Sequence, residues 1–297
     1  MMISDKPARP DKQVAIQVER PWLEAWNMFK KNRAAVAGLI ILSSIIMISL
    51  LGPLAFPADP FAGAGPLLSP PGERGFLLGT DQQGRDILVG LLYGSQSTLM
   101  VGAAAAAITI TIGILVGALA GYYRGWVEEV LLRITEFFQV LPPLLLAMVV
   151  VLLFSPSIVT ISLAIGIVSW TSTARLVRAE FLRIRELDFV KAERAIGSRN
   201  ARIIWTIILP NAAPPLIVSA ALSVGVAILF EAGLAFLQLS DPNVMSWGYL
   251  ISVNRPQILE AWWPVTFPGL AIFITVLSVS LIGDGLNDAF NPKLRQR

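Results

Sequence analysis

Residues 158–178 read Ile-Val-Thr-Ile-Ser-Leu-Ala-Ile-Gly-Ile-Val-Ser-Trp-Thr-Ser-Thr-Ala-Arg-Leu-Val-Arg, and whether this stretch crosses a membrane decides the topology of the whole chain. Its first part, 158–170, is apolar but short. It spans only if the helix runs on through Thr171-Ser172-Thr173-Ala174 to Leu176. Five further stretches, 34–56, 98–121, 135–154, 203–229 and 265–282, are apolar for long enough to cross about 30 Å of hydrocarbon as helices. Charge decides between five spans and six, because Lys and Arg crowd the cytoplasmic side and an even count puts both termini on it. Six spans give one side Lys6, Arg9, Lys12, Arg20, Lys30, Lys31 and Arg33, then Arg175, Arg178 and Arg202, then Lys293, Arg295 and Arg297; the other side keeps only Arg74, Arg85 and Arg255. Five spans would split these groups. The expectation is therefore an all-α membrane protein of six transmembrane helices with both ends cytoplasmic.

Composition agrees. Of the 297 residues 55% are hydrophobic and 14% charged, too apolar for a soluble chain of this length. The polar 1–33 segment precedes an apolar run too long for a cleaved secretion signal, so the first span is expected to stay as an anchor. Within that segment Trp22, Leu23, Trp26 and Phe29 recur at helical spacing, which predicts an amphipathic helix lying in the membrane interface. The organisation expected is 1–33 as a cytoplasmic segment with this helix, 34–97 as the first span and external loop, 98–288 as the membrane core and 289–297 as a cytoplasmic tail.

The chain has no cysteine and no histidine. Disulfides, thiolate zinc sites and thiol catalysis are excluded, and so are the commonest general base and metal ligand. No carboxylate cluster has metal-ligand spacing and no G-x-x-x-x-G-K-[ST] phosphate loop occurs, so catalysis is not expected, and any nucleotide would bind another chain.

One polar segment between two apolar stretches, 183–202, carries a pattern of its own. Asp188 is placed to cap a short helix, 189–196, and Gly197 stands where a left-handed residue would end it. Ser198 or Asn200 then caps the next helix. The result is a short charged peg parallel to the membrane, suited to the grip of a soluble partner. On the other side, Thr80 or Asp81 caps a turn and Asp86 caps a short helix over 87–93, ahead of the span that starts at 98. Glu129 and Arg133 are set for an i, i+4 pair. Glu231, toward the outer end of the fifth span, is a functional candidate by its depth; Asp284 is read as capping a turn with Asn287 and Asp288.

From about Leu78 to the tail the sequence resembles the dipeptide, oligopeptide and nickel branch of ABC importer permeases, specifically the second permease of each pair. The resemblance rests on Gly79-Thr80-Asp81 with Gly84-Arg85-Asp86, Ala120-Gly121-Tyr122-Tyr123 with Gly125-Trp126, Ala174-Arg175-Leu176-Val177-Arg178, Gly197, Ile208-Leu209-Pro210-Asn211, Phe236-Leu237, Trp247-Gly248, Pro268-Gly269 and Gly283-Asp284-Gly285-Leu286. It implies a type I importer permease fold in a bacterial cytoplasmic (inner) membrane. It also implies that Asp188, Lys191, Ala192, Glu193, Arg194, Gly197 and Arg199 form the loop that couples to ATPase subunits, and that Glu231 and Phe236 are candidates for the translocation path. Asp81, Arg85 and Asp86 form an external loop motif, with no catalytic or metal-binding residue anywhere. The partners implied are a second homologous permease, two ATPase subunits holding ATP and Mg, an external substrate-binding protein and the lipid membrane; nucleic acid is not among them, and no cofactor resides in this chain. Peptide is the expected substrate, with nickel or another small solute as the alternative and a stand-alone secondary transporter as the more distant one. The chain departs from the family in having Lys191-Ala192-Glu193 where Glu-Ala-Ala is usual, Thr206-Ile207 where Arg-His is frequent, and Gln238 and Ser240 where glycines follow Phe236-Leu237.

Overall fold

The computed structural model describes residues 21–290; the basic residues of 1–20 and of the tail lie outside them. The described chain is helical: α1 Pro21–Lys31, α2 Arg33–Ala55, α3 Ile87–Tyr123, α4 Gly125–Val140, α5 Pro143–Phe154, α6 Ile158–Ile184, α7 Asp188–Ala195, α8 Asn200–Phe236, α9 Trp247–Asn254 and α10 Trp263–Phe290. Five of these, α2, α3, α6, α8 and α10, are long and apolar enough to cross a membrane. The α4–α5 pair passes the same test only together, and counted as one bent span it brings the number to six. Exposed apolar side chains such as Ile40, Met47 and Leu54 on α2 and Phe273 on α10 would be costly in water and suit a surface solvated by lipid.

The weakest expected span is the most buried helix. α6 runs past Leu176 to Ile184 because its polar residues face protein: Thr171 and Thr173 are buried and the Ser162 hydroxyl donates to the Ile158 carbonyl. Ser157 caps its start, accepting from the Thr160 amide at 3.1 Å. Along α6 lies α3, and three glycines at four-residue spacing set their separation. A Cβ at Gly113 would stand 2.6 Å from the Thr173 side chain, at Gly117 2.4 Å from the Ala174 carbonyl oxygen, and at Gly121 2.6 Å from Phe181. Such a seam brings two backbones close enough for dispersion to hold them in the absence of a hydrophobic driving force.

Where the expected bounds fail, the reasons are local. The short helix at 87–93 and the span at 98–121 are one helix of 37 residues, about 55 Å long. The polar run between them does not break it, because the Ser95 hydroxyl donates back to the Leu92 carbonyl and Gln96 Nε2 reaches the Ser49 carbonyl of α2 at 2.8 Å. Conversely 135–154 is not one straight helix. Pro142 and Pro143 disfavour helical backbone at Leu141, and α4 and α5 meet at 88°. The 12 residues of α5 reach only about 18 Å. α8 begins three residues before the predicted 203 and extends to Phe236, with a π-helical turn at Ile203–Ile208 ahead of Pro210, Pro214 and Pro215. Glu128, not Glu129, makes the ion pair of α4; its partner is Arg178 on α6, whose Nε donates at 2.8 Å. Asp284 is exposed within the continuous α10 and caps no turn.

The predicted interfacial helix α1 exists, yet its Ala25 and Phe29 are buried against Ala289 of α10 while Leu23 and Trp26 remain about half exposed. Asn32 secures this corner twice, capping α2 through the Ala35 amide at 3.1 Å and donating to Asp288 at 3.1 Å.

Replacing Gly117 by Val drives methyl groups into the Ala174 carbonyl and is expected to destabilise the α3–α6 seam by about 1–3 kcal/mol. Gly269→Ala, where an added Cβ meets nothing within 4 Å, is the matched control. Thermal unfolding of detergent-solubilised protein checks this; equal midpoints for the two variants would contradict the seam.

Candidate functional site

Three arrangements occupy the positions singled out by sequence. The first is α7, suspended between the ends of α6 and α8. The Leu187 amide donates to the Ile184 carbonyl at 3.0 Å, closing α6 and turning the chain into α7. Asp188 is the first helical residue, not the cap; Leu187 occupies the cap position and makes no side-chain bond there. An acidic residue in the first turn still suits the helix dipole. At the other end Gly197 takes φ +80° as expected, its amide bonding the Arg194 carbonyl and that of Ser198 the Glu193 carbonyl. Neither Ser198 nor Asn200 caps α8, whose cap position falls to Arg199 without a side-chain bond. The Ser198 hydroxyl instead donates to the Glu193 carboxylate, tying peg to turn.

One face of α7 is keyed and the other is bare. Val190 is fully buried among Phe181, Ile184, Ile203, Ile204 and Tyr122. Lys191, Ala192, Arg194, Gly197 and Arg199 are exposed, as are the apolar Phe189 and Ile196, the latter at 78%. A mixed apolar and basic face on a rigid helix is a surface for a protein partner.

Sequence reasoning did not assign a role to the residue at the centre of this junction. Tyr122, at the end of α3, donates its hydroxyl to Asn200 Oδ1 at 2.8 Å and lies under the Arg194 guanidinium, 5.0 Å from the ring centroid. Arg185 donates to the Gly121 and Tyr122 carbonyls, which the end of α3 leaves without intrahelical partners. The available signal was the paired tyrosines directly after the four-residue glycine repeat.

The second arrangement is a cleft of about 550 Å³ between α3, α5, α6 and α8. Its wall is mainly apolar, with Ile165, Val168, Leu222, Val226 and Phe230, interspersed with Thr109, Ser169, Ser172, Ser219 and Ser223, and no lining residue carries a charge. Glu231 and Phe236 do not line it. Glu231 is 3% exposed and turned toward α9, where one carboxylate oxygen accepts from the Ser246 hydroxyl at 2.7 Å; the other faces Gly248, whose missing side chain leaves it room. Phe236 ends α8 with its ring 4.6 Å from the Arg255 guanidinium, which also donates to the Phe236 carbonyl at 3.1 Å. Phe230 is instead among the α8 residues that line the cleft, with Ser219, Ser223 and Ala227.

The third arrangement lies at the opposite end from α7. Asp81 is wholly buried and shapes its own loop, one oxygen accepting from the Gln83 and Arg85 amides at 2.8 and 2.9 Å. Arg85 donates to the Tyr249 hydroxyl at 3.2 Å and lies over the Phe61 ring. Asp86 caps the long α3 through the Leu88 amide at 2.8 Å. Gln82 Nε2 reaches the Val253 carbonyl at 2.6 Å and Trp263 Nε1 the Thr80 carbonyl at 3.0 Å. The motif therefore fastens the 57–86 loop to α9 and to the start of α10. Among the described residues no group of three or more His, Cys, Asp or Glu side chains is placed to hold a metal ion.

Comparison with known proteins agrees with this architecture. The family described as binding-protein-dependent transport system inner membrane component matches residues 113–296, and the N-terminal TM domain of oligopeptide transport permease C matches residues 20–71. The dipeptide transport system permease protein DppC of Alkalihalophilus pseudofirmus is 38% identical over 99% of this chain and 97% of its own length. That of Escherichia coli K12 is 40% identical over 93% and 94%. Among solved structures, a chain of the MetNI methionine ABC transporter in an inward-facing conformation shares the fold, with a TM-score of 0.55 at 17% identity over 68% of this chain and 96% of that one. Helical architecture, exposed peg and uncharged cleft thus accompany full-length sequence similarity, and the chain belongs to the family of binding-protein-dependent transport system inner membrane components.

Proposed function

We propose that this chain forms half of the membrane path of an ATP-driven peptide importer, with a second homologous permease as the other half. An external binding protein delivers the substrate, and of two ATPase subunits that hold ATP and Mg, one docks on α7. The observation that carries the reading is α7 itself: an eight-residue helix fixed at both ends, keyed on one face and bare on the other. Orientation follows from charge. The end bearing α7 also carries Lys30, Lys31, Arg33, Arg175, Arg178 and Arg202, whereas Arg74, Arg85 and Arg255 lie at the opposite end, so α7 faces the cytoplasm together with α1 and the end of α10.

The cleft supports peptide as the cargo. Its hydroxyls donate and accept, matching the amides and carbonyls of a peptide backbone, and its lack of charge lets side chains of either sign pass. A bare nickel ion would find no imidazole, thiolate or carboxylate among the lining residues. The dipeptide and oligopeptide names of the similar permeases point the same way.

Two outcomes are expected. In proteoliposomes holding the complete complex and its binding protein, dipeptide uptake requires ATP; uptake that persists without ATP contradicts the reading and favours a secondary transporter, and ATP-driven uptake of nickel but not peptide moves the substrate. On the docking face, Ala192→Glu is expected to lower recovery of the ATPase with the tagged chain by tenfold or more, about 1.4 kcal/mol, while recovery of the second permease persists. Lys191→Glu lowers it too if the ATPase groove is acidic. Unchanged recovery in both variants places docking elsewhere.

A further inference from the structure

α7 is continuous in sequence with α6 and α8 but not with α3, the 37-residue helix alongside which the cleft opens. We propose that Tyr122 is the positioning residue through which displacement of α7 reaches α3. This rests on the importer reading above. Four contacts converge on the tyrosine. Its ring supports Arg194 of α7, its hydroxyl is held by Asn200 at the start of α8, its carbonyl accepts from Arg185 after α6, and the residue belongs to the same buried apolar cluster as Val190. A movement of α7 therefore cannot leave the end of α3 behind without separating Arg194 from the ring and disrupting the cluster that buries Val190. α3 in turn is a rod of 37 residues whose other end is capped by Asp86 and carries α9, since Thr98 accepts from the Trp247 amide at 3.1 Å and the Leu91 carbonyl from the Trp247 indole at 3.0 Å. The π-helical turn at Ile203–Ile208, directly after the Asn200 anchor, supplies an irregular helical geometry at which α8 can bend while its first turn follows Tyr122. Displacement at one membrane face is carried in this way to the opposite face by one unbroken helix, in addition to the helices that flank the loop.

The test uses the whole complex in lipid nanodiscs, and its readout is the ratio of ATP turnover with loaded binding protein to turnover without it. Tyr122→Leu, which removes ring and hydroxyl, is expected to lower this ratio at least fivefold with the ATPases still bound. Tyr122→Phe, which keeps the ring beneath Arg194, should lower it about twofold. Asn200→Ala combined with Tyr122→Phe should lower it no further than either change alone, because both remove one hydrogen bond. This cycle decides the matter if the leucine variant does not fold. A wild-type ratio in Tyr122→Leu, or in the cycle variants, overturns the proposal. So does a fall that only tracks lost ATPase, since that assigns Tyr122 to docking. A wild-type complex without ATPase or without stimulation overturns the importer reading itself, whereas stimulation of the wild type that Tyr122→Leu fully retains overturns only the role of Tyr122.

Discussion

The rest of the structure depends on how closely α3 approaches α6. With Gly113, Gly117 and Gly121 the two backbones touch along three successive helical turns, and no larger residue fits there without displacing a carbonyl or a side chain. This contact fixes α6 against α3 through the bilayer, buries the hydroxyls that make α6 look too polar to span, and sets the height at which α6 leaves the membrane and turns into α7. In lipid the hydrophobic effect does not drive one helix onto another, so close packing and satisfied polar groups must do so. The seam provides the first, and the back-bonding serines and threonines the second.

From this frame the functional parts follow. The cleft opens where α3 and α6 diverge from α5 and α8, at the level of Thr109 and Ser169. Beyond the seam's last glycine, Tyr122 meets the peg, the end of α6 and the start of α8. At the other end the same helix is capped by Asp86 beside the buried Asp81 loop, so external loops and peg are attached to the two ends of one rod. Glu231 belongs to this framework: its carboxylate holds the first turn of α9 through Ser246, whose hydroxyl also accepts from the Tyr249 amide.

Much of this was legible in the sequence, because membrane spans announce themselves by length and apolarity and loops by their charges. The starts of α2, α6, α8 and α10 and the peg with its Gly197 turn agree with the sequence reading to within three residues, whereas α6, α8 and α10 run seven or eight residues beyond their expected ends. The sequence suggests a short helix at 87–93 and a separate span from 98 because Gly94-Ser95-Gln96-Ser97 interrupts the apolar run; Ser95 and Gln96 find partners in their own helix and in α2, and the helix continues through them. The break at Leu141-Pro142 was missed although its two prolines signal it, since an average over hydropathy does not see one dihedral angle. Glu231 was legible as unusual but not as turned away from the cleft, because orientation around a helix that is apolar on all sides leaves no periodic signal. Tyr122 stands in the sequence as one of two adjacent tyrosines, and its role arises only where the end of α6, α7 and the start of α8, distant in sequence from it, meet its side chain and carbonyl.

The central claim, that α7 is the cytoplasmic docking site of an ATPase, is tested most directly by photo-crosslinking in intact membranes. A photoreactive amino acid is placed at Ile196, which is 78% exposed beside α7, or at Leu259, which is 98% exposed at the opposite end. The account predicts an ATPase adduct from Ile196 and none from Leu259. No ATPase adduct from Ile196, or one from Leu259, would contradict it.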